Sequence, residues 1–125
     1  MTIETTQPIT GQPAKVLAEI ARGTLRAVGY GDVPGLVLVH EDGTADVVSL
    51  GEGLGGHTRA GAVMARSLCH QKGAQVLVAI QPPGRRTAAA RDAAERILSA
   101  SRLVDALLER VVLVFNSGRT EVFTR

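Results

Sequence analysis

The sequence predicts a mixed α/β (α+β) fold: a single domain with one β-sheet flanked by helices, in the order α-β-β-α-β-α-β-β. Three observations carry this. β-Branched and aliphatic runs recur at Leu36–His40, Ala45–Leu50, Gln75–Ile80 and Val111–Phe115, as in strands that bury at least one face. Between them stand stretches whose apolar residues repeat at helical spacing. The composition, 45% hydrophobic and 21% charged over 125 residues, is that of a chain with one core and not of a disordered one.

The elements follow in order. Residues 1 to about 12 are rich in Thr, Gln, Pro and Gly without periodicity and read as a loose tail, leaving 13–125 as the domain. From Pro13 the positions Val16, Leu17, Ile20, Ala27 and Val28 recur at helical spacing. Pro13 suits a first turn, and Gly29 and Gly31 suit a stop. Gly23 weakens this helix. Between the first two strands, Glu41-Asp-Gly-Thr44 predicts a hairpin, because its glycine accepts positive φ. Gly51-Glu-Gly-Leu-Gly-Gly56 reads as a flexible connection. Thr58 then caps a helix through about Lys72, with Ala60, Val63, Met64, Ser67 and Leu68 on its apolar face and Gly73 at its stop.

Gln75–Ile80 is the most continuous apolar run and is placed as a central strand. Thr87 caps a long helix through about Val104, with Ala90, Ala94, Ile97, Leu98 and Ser101 inward. Asn116-Ser-Gly-Arg119 separates Val111–Phe115 from Thr120–Phe123 as a second hairpin. No repeat or linker divides the chain.

Composition also excludes function classes. Aromatic residues are 2% and Trp is absent, which argues against modules that stack nucleic-acid bases on exposed rings. A formal charge of +2 does not by itself imply a nucleic-acid or membrane partner. The lone Cys69 rules out an internal disulfide and fits a reducing compartment. No apolar run approaches the roughly 20 residues a membrane span needs. The start, Met1-Thr-Ile-Glu-Thr-Thr, lacks the basic and apolar regions of a signal peptide, so a cytoplasmic protein with no membrane partner is expected.

The most telling segment joins the central strand to the long helix: Ala79-Ile-Gln-Pro-Pro-Gly-Arg-Arg-Thr-Ala-Ala-Ala-Arg-Asp92. Strand-to-helix turns of this kind hold the chemistry of many α/β enzymes, yet almost nothing here can ligate a metal or move a proton. Pro82, Gly84, Thr87 and Asp92 keep the spacing of a His-Asn-His-Pro-Ser-Gly-Asp-Pro-Thr-Pro-Ser-x-x-Asp turn. Leu107-Leu-Glu-Arg-Val-Val-Leu-Val114 with Gly118 is similar to a Leu-Leu-Asp-His-Leu-Ile-Val strand and glycine turn, and His57-Thr-Arg59 to a His-Pro-Arg segment. With the element order, these residues resemble the RadC-like branch of the JAB/MPN (JAMM) domain family over roughly residues 33 to 125. The helix-hairpin-helix region of full RadC proteins has no counterpart here.

In that family two histidines and the aspartate ligate zinc, and the serine supports the transition state. The resemblance places Ala79 and Gln81 where the histidines stand, and Ala89 where the serine stands. Catalytic zinc needs three protein ligands and an open position, and Asp92 alone cannot supply them. The resemblance therefore implies a JAB/MPN-like pseudoenzyme: no catalytic residues, no metal and no cofactor. It implies a role in protein–protein contact, with another chain or as a homodimer.

Other features keep two readings each. Asp92 is either a relic ligand or an acid favoured by the helix dipole in a first turn. Arg85, Arg86 and Arg91, at the mouth of the turn, either bind an anion, a nucleic acid or partner included, or form a solvated rim. RadC's association with DNA repair supports the nucleic-acid alternative. His40, His57, Cys69 and His70 are the remaining metal-ligand types, but none of their spacings is that of a known site. Gly51–Gly56 is neither a P-loop nor a dinucleotide fingerprint, and no Gly-x-Ser-x-Gly motif supports nucleophilic catalysis.

Overall fold

The structure, a computed structural model, describes residues 11–29, 33–51, 53–54, 74–83, 87–103 and 108–124. In chain order the elements are α1 (Ala14–Ala27), β1 (Gly35–His40), β2 (Ala45–Leu50), β3 (Gln75–Ile80), α2 (Thr87–Leu103), β4 (Leu108–Val114) and β5 (Thr120–Thr124). The expected helix over 58–72 and residues 1–10 of the expected tail lie outside the described residues. The tail's last residue is held: Arg110 Nη2 donates to the Gln12 carbonyl at 2.7 Å.

The five strands form one mixed sheet in the order β2-β1-β3-β4-β5. β3 is central, as the sequence predicts. It pairs antiparallel with β1 and parallel with β4, while β2 and β5 add antiparallel at the two margins. Both hairpins form at their expected turns. Gly43 and Gly118 take φ of 88° and 86°, where a side chain would be strained. Asp42 Oδ1 accepts from the Thr44 hydroxyl at 2.6 Å and its N–H at 2.9 Å, an Asx turn. These bonds, the hydroxyl's first, hold the Asp42 carboxyl below its ordinary range.

The strands sort their side chains by face. Val37, Val39, Val76, Val78, Val112 and Val114 form one core with Leu17, Ala18, Ala21 and Leu25 of α1. Leu36, Leu38, Leu77, Ala79, Val111 and Leu113 form the other with Ala90, Ala94, Ile97 and Leu98 of α2. This is the period-2 alternation of pleated strands. A one-residue slip of β3 would exchange branched valines and longer leucines between the two cores, so register is strongly fixed. Helix α2 follows the sequence reading in its buried face: Ala90, Ala94, Ile97, Leu98 and Ser101 are all buried. It begins at Thr87 itself, so Thr87 is its first residue rather than its cap, and it ends at Leu103.

Helix α1 requires a correction. Its buried residues are Leu17, Ala18, Ala21 and Leu25. Val16 and Val28 are 41% and 51% exposed, Ala27 is exposed and Ile20 is half-buried. Val16 lies about 100° around the helix from Leu17, and Val28 falls at the C-cap, beyond the last helical turn. The buried stripe is set by Ala18 and Ala21, whose small side chains let the helix approach the valine face. The stop is as expected, with Gly29 at φ 88°.

Where α1 meets β1 and β2 the backbone approach is close. A Cβ on Gly35 would lie 2.8 Å from the Ser49 carbonyl oxygen and 3.4 Å from Leu25 Cδ2. The oxygen belongs to a paired strand and cannot swing aside. Gly35→Ala is expected to lower stability by about 1–3 kcal/mol. Denaturant unfolding would read this as a lower midpoint at unchanged slope; a midpoint equal to the parent's would contradict the close approach.

Candidate functional site

Two strands, β3 and β4, run parallel and end together, and their carboxyl ends are where α/β sheets tend to place ligands. Side chains alternate along β3, so its end has two sides. Ala79 belongs to the α2 core and Ile80 packs on the α1 core.

The α2 side is sealed. Gln81 is 4% exposed, and its amide, oriented to satisfy both its atoms, bonds twice to one residue. Nε2 donates to the Leu54 carbonyl oxygen at 3.2 Å, and Oε1 accepts from the Leu54 N–H at 3.0 Å. Leu54 itself is buried in the α2 core. Gly53 lies against the same amide: a Cβ there would meet the Gln81 amide group and would stand 2.7 Å from Pro82 Cδ. The Gly51 N–H donates to the Pro34 carbonyl at 2.7 Å. The expectation of a flexible glycine-rich connection therefore fails for Gly53 and Leu54, which are buried. Gly53 serves close packing against Gln81, whereas Gly51 is exposed and takes φ 77°.

The other predicted site residues divide. Ala79 is fully buried. Ala89 is half-buried on α2 and carries no hydroxyl. Asp92 corrects its dipole reading: α2 begins at Thr87 and has no acid in its first turn. Asp92 is in the second turn, and its carboxylate meets Arg96 Nε at 3.0 Å, one turn on. Both side chains are exposed, so this pair is of the weak surface kind.

Arg91 is engaged inside the fold. Its Nε donates to Glu121 Oε1 at 2.6 Å and its Nη2 to Oε2 at 2.8 Å, a bidentate pair joining α2 to β5. Arg119 Nη2 reaches the same carboxylate at 3.1 Å. The hydrogen bonds from Arg91 hold the Glu121 carboxyl below its ordinary range, and Glu121 raises the Arg91 guanidinium in turn. Arg85 and Arg86 lie outside the described residues, so the expected arginine group is not brought together among the described ones.

His57, Cys69 and His70 also lie outside the described residues. His40 is buried, and its Nε2 stands 2.6 Å from Asp46 Oδ2. Its Nδ1 and both amide atoms of Gln75, its antiparallel register partner, have no hydrogen-bond partner among the described residues. Among the described residues no group of three or more His, Cys, Asp or Glu is placed to hold a metal ion. No helix among them is long and apolar enough to cross a membrane.

The α1 side of the strand ends is open. A cavity of about 610 Å³ lies there, within the range of small-molecule sites. Its described lining includes Leu25, Pro34, Ile80, Phe115 and Asn116, with Arg22 the cation among them. Sequence reasoning missed Arg22. The available signal was its place one turn before Leu25 on the buried stripe.

No protein-family model matches the chain, and no curated protein or solved structure matches it either.

Two outcomes follow. Gln81→Ala removes both bonds to Leu54 and is expected to cost about 1–3 kcal/mol, read by thermal unfolding; an unchanged Tm would mean the amide holds nothing. Glu121 has its carboxyl lowered in the folded state. Its stabilisation is therefore full above the ordinary glutamate range and is lost as pH falls through the folded value. Between neutrality and strong acid, Glu121→Gln should lose less stability than the parent in parallel denaturant titrations. Equal loss would show that the Arg91 pair contributes nothing.

Proposed function

We propose that this protein is a non-catalytic JAB/MPN-like, RadC-like domain that works by binding a partner. The carrying observation is the use made of Gln81. At the position the resemblance gives to a zinc-ligand histidine stands an amide whose hydrogen-bonding atoms are both spent on Leu54. Ala79 and Ala89, at the positions of the other histidine and the serine, offer no donor atom from their side chains. Asp92 is turned to Arg96. A hydrolytic zinc needs three protein ligands and room for water, and on the side of the strand end where the resemblance puts them Gln81 is bonded to the buried Leu54.

The order of the described elements agrees with this reading, with β3 central and followed by α2. A binding role is supported by the sheet margins. Among the described strands, β2 and β5 each pair on one side only, and Val122 on β5 is 44% exposed. An exposed strand edge is a template for pairing with another chain or a second copy. The alternative, an accessory protein binding DNA or phosphate through Arg85, Arg86 and Arg91, loses one of its three cations to Glu121. Partner binding is the better supported of the two.

Metal analysis of the protein purified without chelator is the direct test. Well under one zinc per chain is expected, and stoichiometric zinc retained through dialysis would overturn the non-catalytic reading.

A further inference from the structure

The cavity at the carboxyl ends of β3 and β4 has a chemical character of its own. Its described walls are mostly apolar: Leu25 from α1, Pro34 before β1, Ile80 at the end of β3 and Phe115 after β4. Asn116 and Gln81 add polar groups and Arg22 a positive charge, and no described lining residue is acidic. A chamber with apolar walls on one part, polar groups on another and one cation suits a ligand with an apolar body and one negative group.

Arg22 and Arg26 share Glu19, at 3.5 and 3.9 Å, and of these two weakly tied arginines only Arg22 lines the cavity. Arg91 is locked bidentate to Glu121, Arg119 shares that carboxylate, and Arg96 pairs with Asp92 at 3.0 Å. Among the described residues the Arg22 guanidinium meets Glu19 at 3.5 Å, through Nη1, and the Glu19 side chain is 67% exposed. A pair of that length with an exposed partner is weak. A guanidinium has five N–H donors in a planar fork, so most of Arg22 remains to bind an oxyanion. Glu19 also lines the neighbouring groove, with Lys15 and Arg22.

We propose that this cavity binds a carboxylate carried on an apolar body, with Arg22 as its counter-ion and Leu25, Ile80 and Phe115 as its apolar floor. The proposal deepens the binding-module reading above and rests on it. A planar carboxylate matches the guanidinium fork. A chamber of about 610 Å³ accommodates an arylalkanoate, or the last apolar residue of a polypeptide with its free carboxyl end. The cavity lies on the α1 side of the strand ends, with Gln81 itself part of its lining.

The test is calorimetric titration of the full chain with two pairs of probes: 4-phenylbutyrate against its neutral amide, and acetyl-Gly-Gly-Leu with a free against an amidated carboxyl end. At least one acid is expected to bind, its amide at least about tenfold more weakly, as loss of a charge-assisted contact requires. Arg22→Gln should remove that preference. Arg26→Gln, one turn on and outside the cavity lining, should keep it. Preference for the peptide acid identifies a partner's chain end; preference for phenylbutyrate identifies a small organic acid. Either supports the site. Equal binding of acid and amide, no binding of either acid, or a preference that survives in Arg22→Gln would overturn it. Because Arg22 is half-exposed, its variant is expected to fold, and circular dichroism of both variants checks this. Zinc content reports separately on the non-catalytic reading, so the two can fail independently.

Discussion

Burial of β3 on both faces is the constraint on which the rest depends. From Val76 to Ala79 its side chains are fully out of water, and each such Val or Leu contributes about 1.5–3 kcal/mol by burial. Valines under α1 and leucines under α2 make the two cores chemically different, so the strand has one satisfactory register. That register fixes β1 on one side and β4 on the other. It also sets which way Ile80 and Gln81 point when the strand ends.

From this follows the asymmetry of the strand end. Gln81 continues the alternation of Leu77 and Ala79, so it meets Leu54 in the α2 core. A buried amide must have partners, or its desolvation is uncompensated. Leu54 provides both a donor and an acceptor, and Gly53 lets the backbone come near enough. On the opposite side no described side chain performs this closure, and a cavity lies beside Leu25, Ile80 and Phe115. One end of one strand thus carries a seal and a chamber. The resemblance to a zinc peptidase directs attention to the sealed side. The open chamber lies on the other.

The Arg91–Glu121 pair shows why charge along a sequence is a poor guide to binding. Arg91 sits beside Arg85 and Arg86 in the chain and reads with them as an anion site. In the fold its nearest opposite charge comes from β5, 30 residues away. Arg22, one basic residue among several on α1, borders the cavity because its neighbour on the stripe, Leu25, is buried.

The sequence by itself determined the strands, the two hairpin turns, the central place of β3 and the buried face of α2. These rest on local signals: period-2 and period-3.6 patterns, and glycines at positive φ. It also supplied the absence of side-chain ligands at Ala79 and Ala89, since residue type alone decides that. Only the tertiary structure decided the buried stripe of α1, where Ala18 and Ala21 outrank the more hydrophobic Val16 because close approach, not hydropathy, selects the face. It decided that Gly53 and Leu54 are packed, because their partner, Gln81, is distant in sequence. It moved Asp92 out of the first turn of α2 and onto Arg96. And it decided which cation borders the cavity, because a cavity is made of residues from four separate segments and no stretch of sequence contains it.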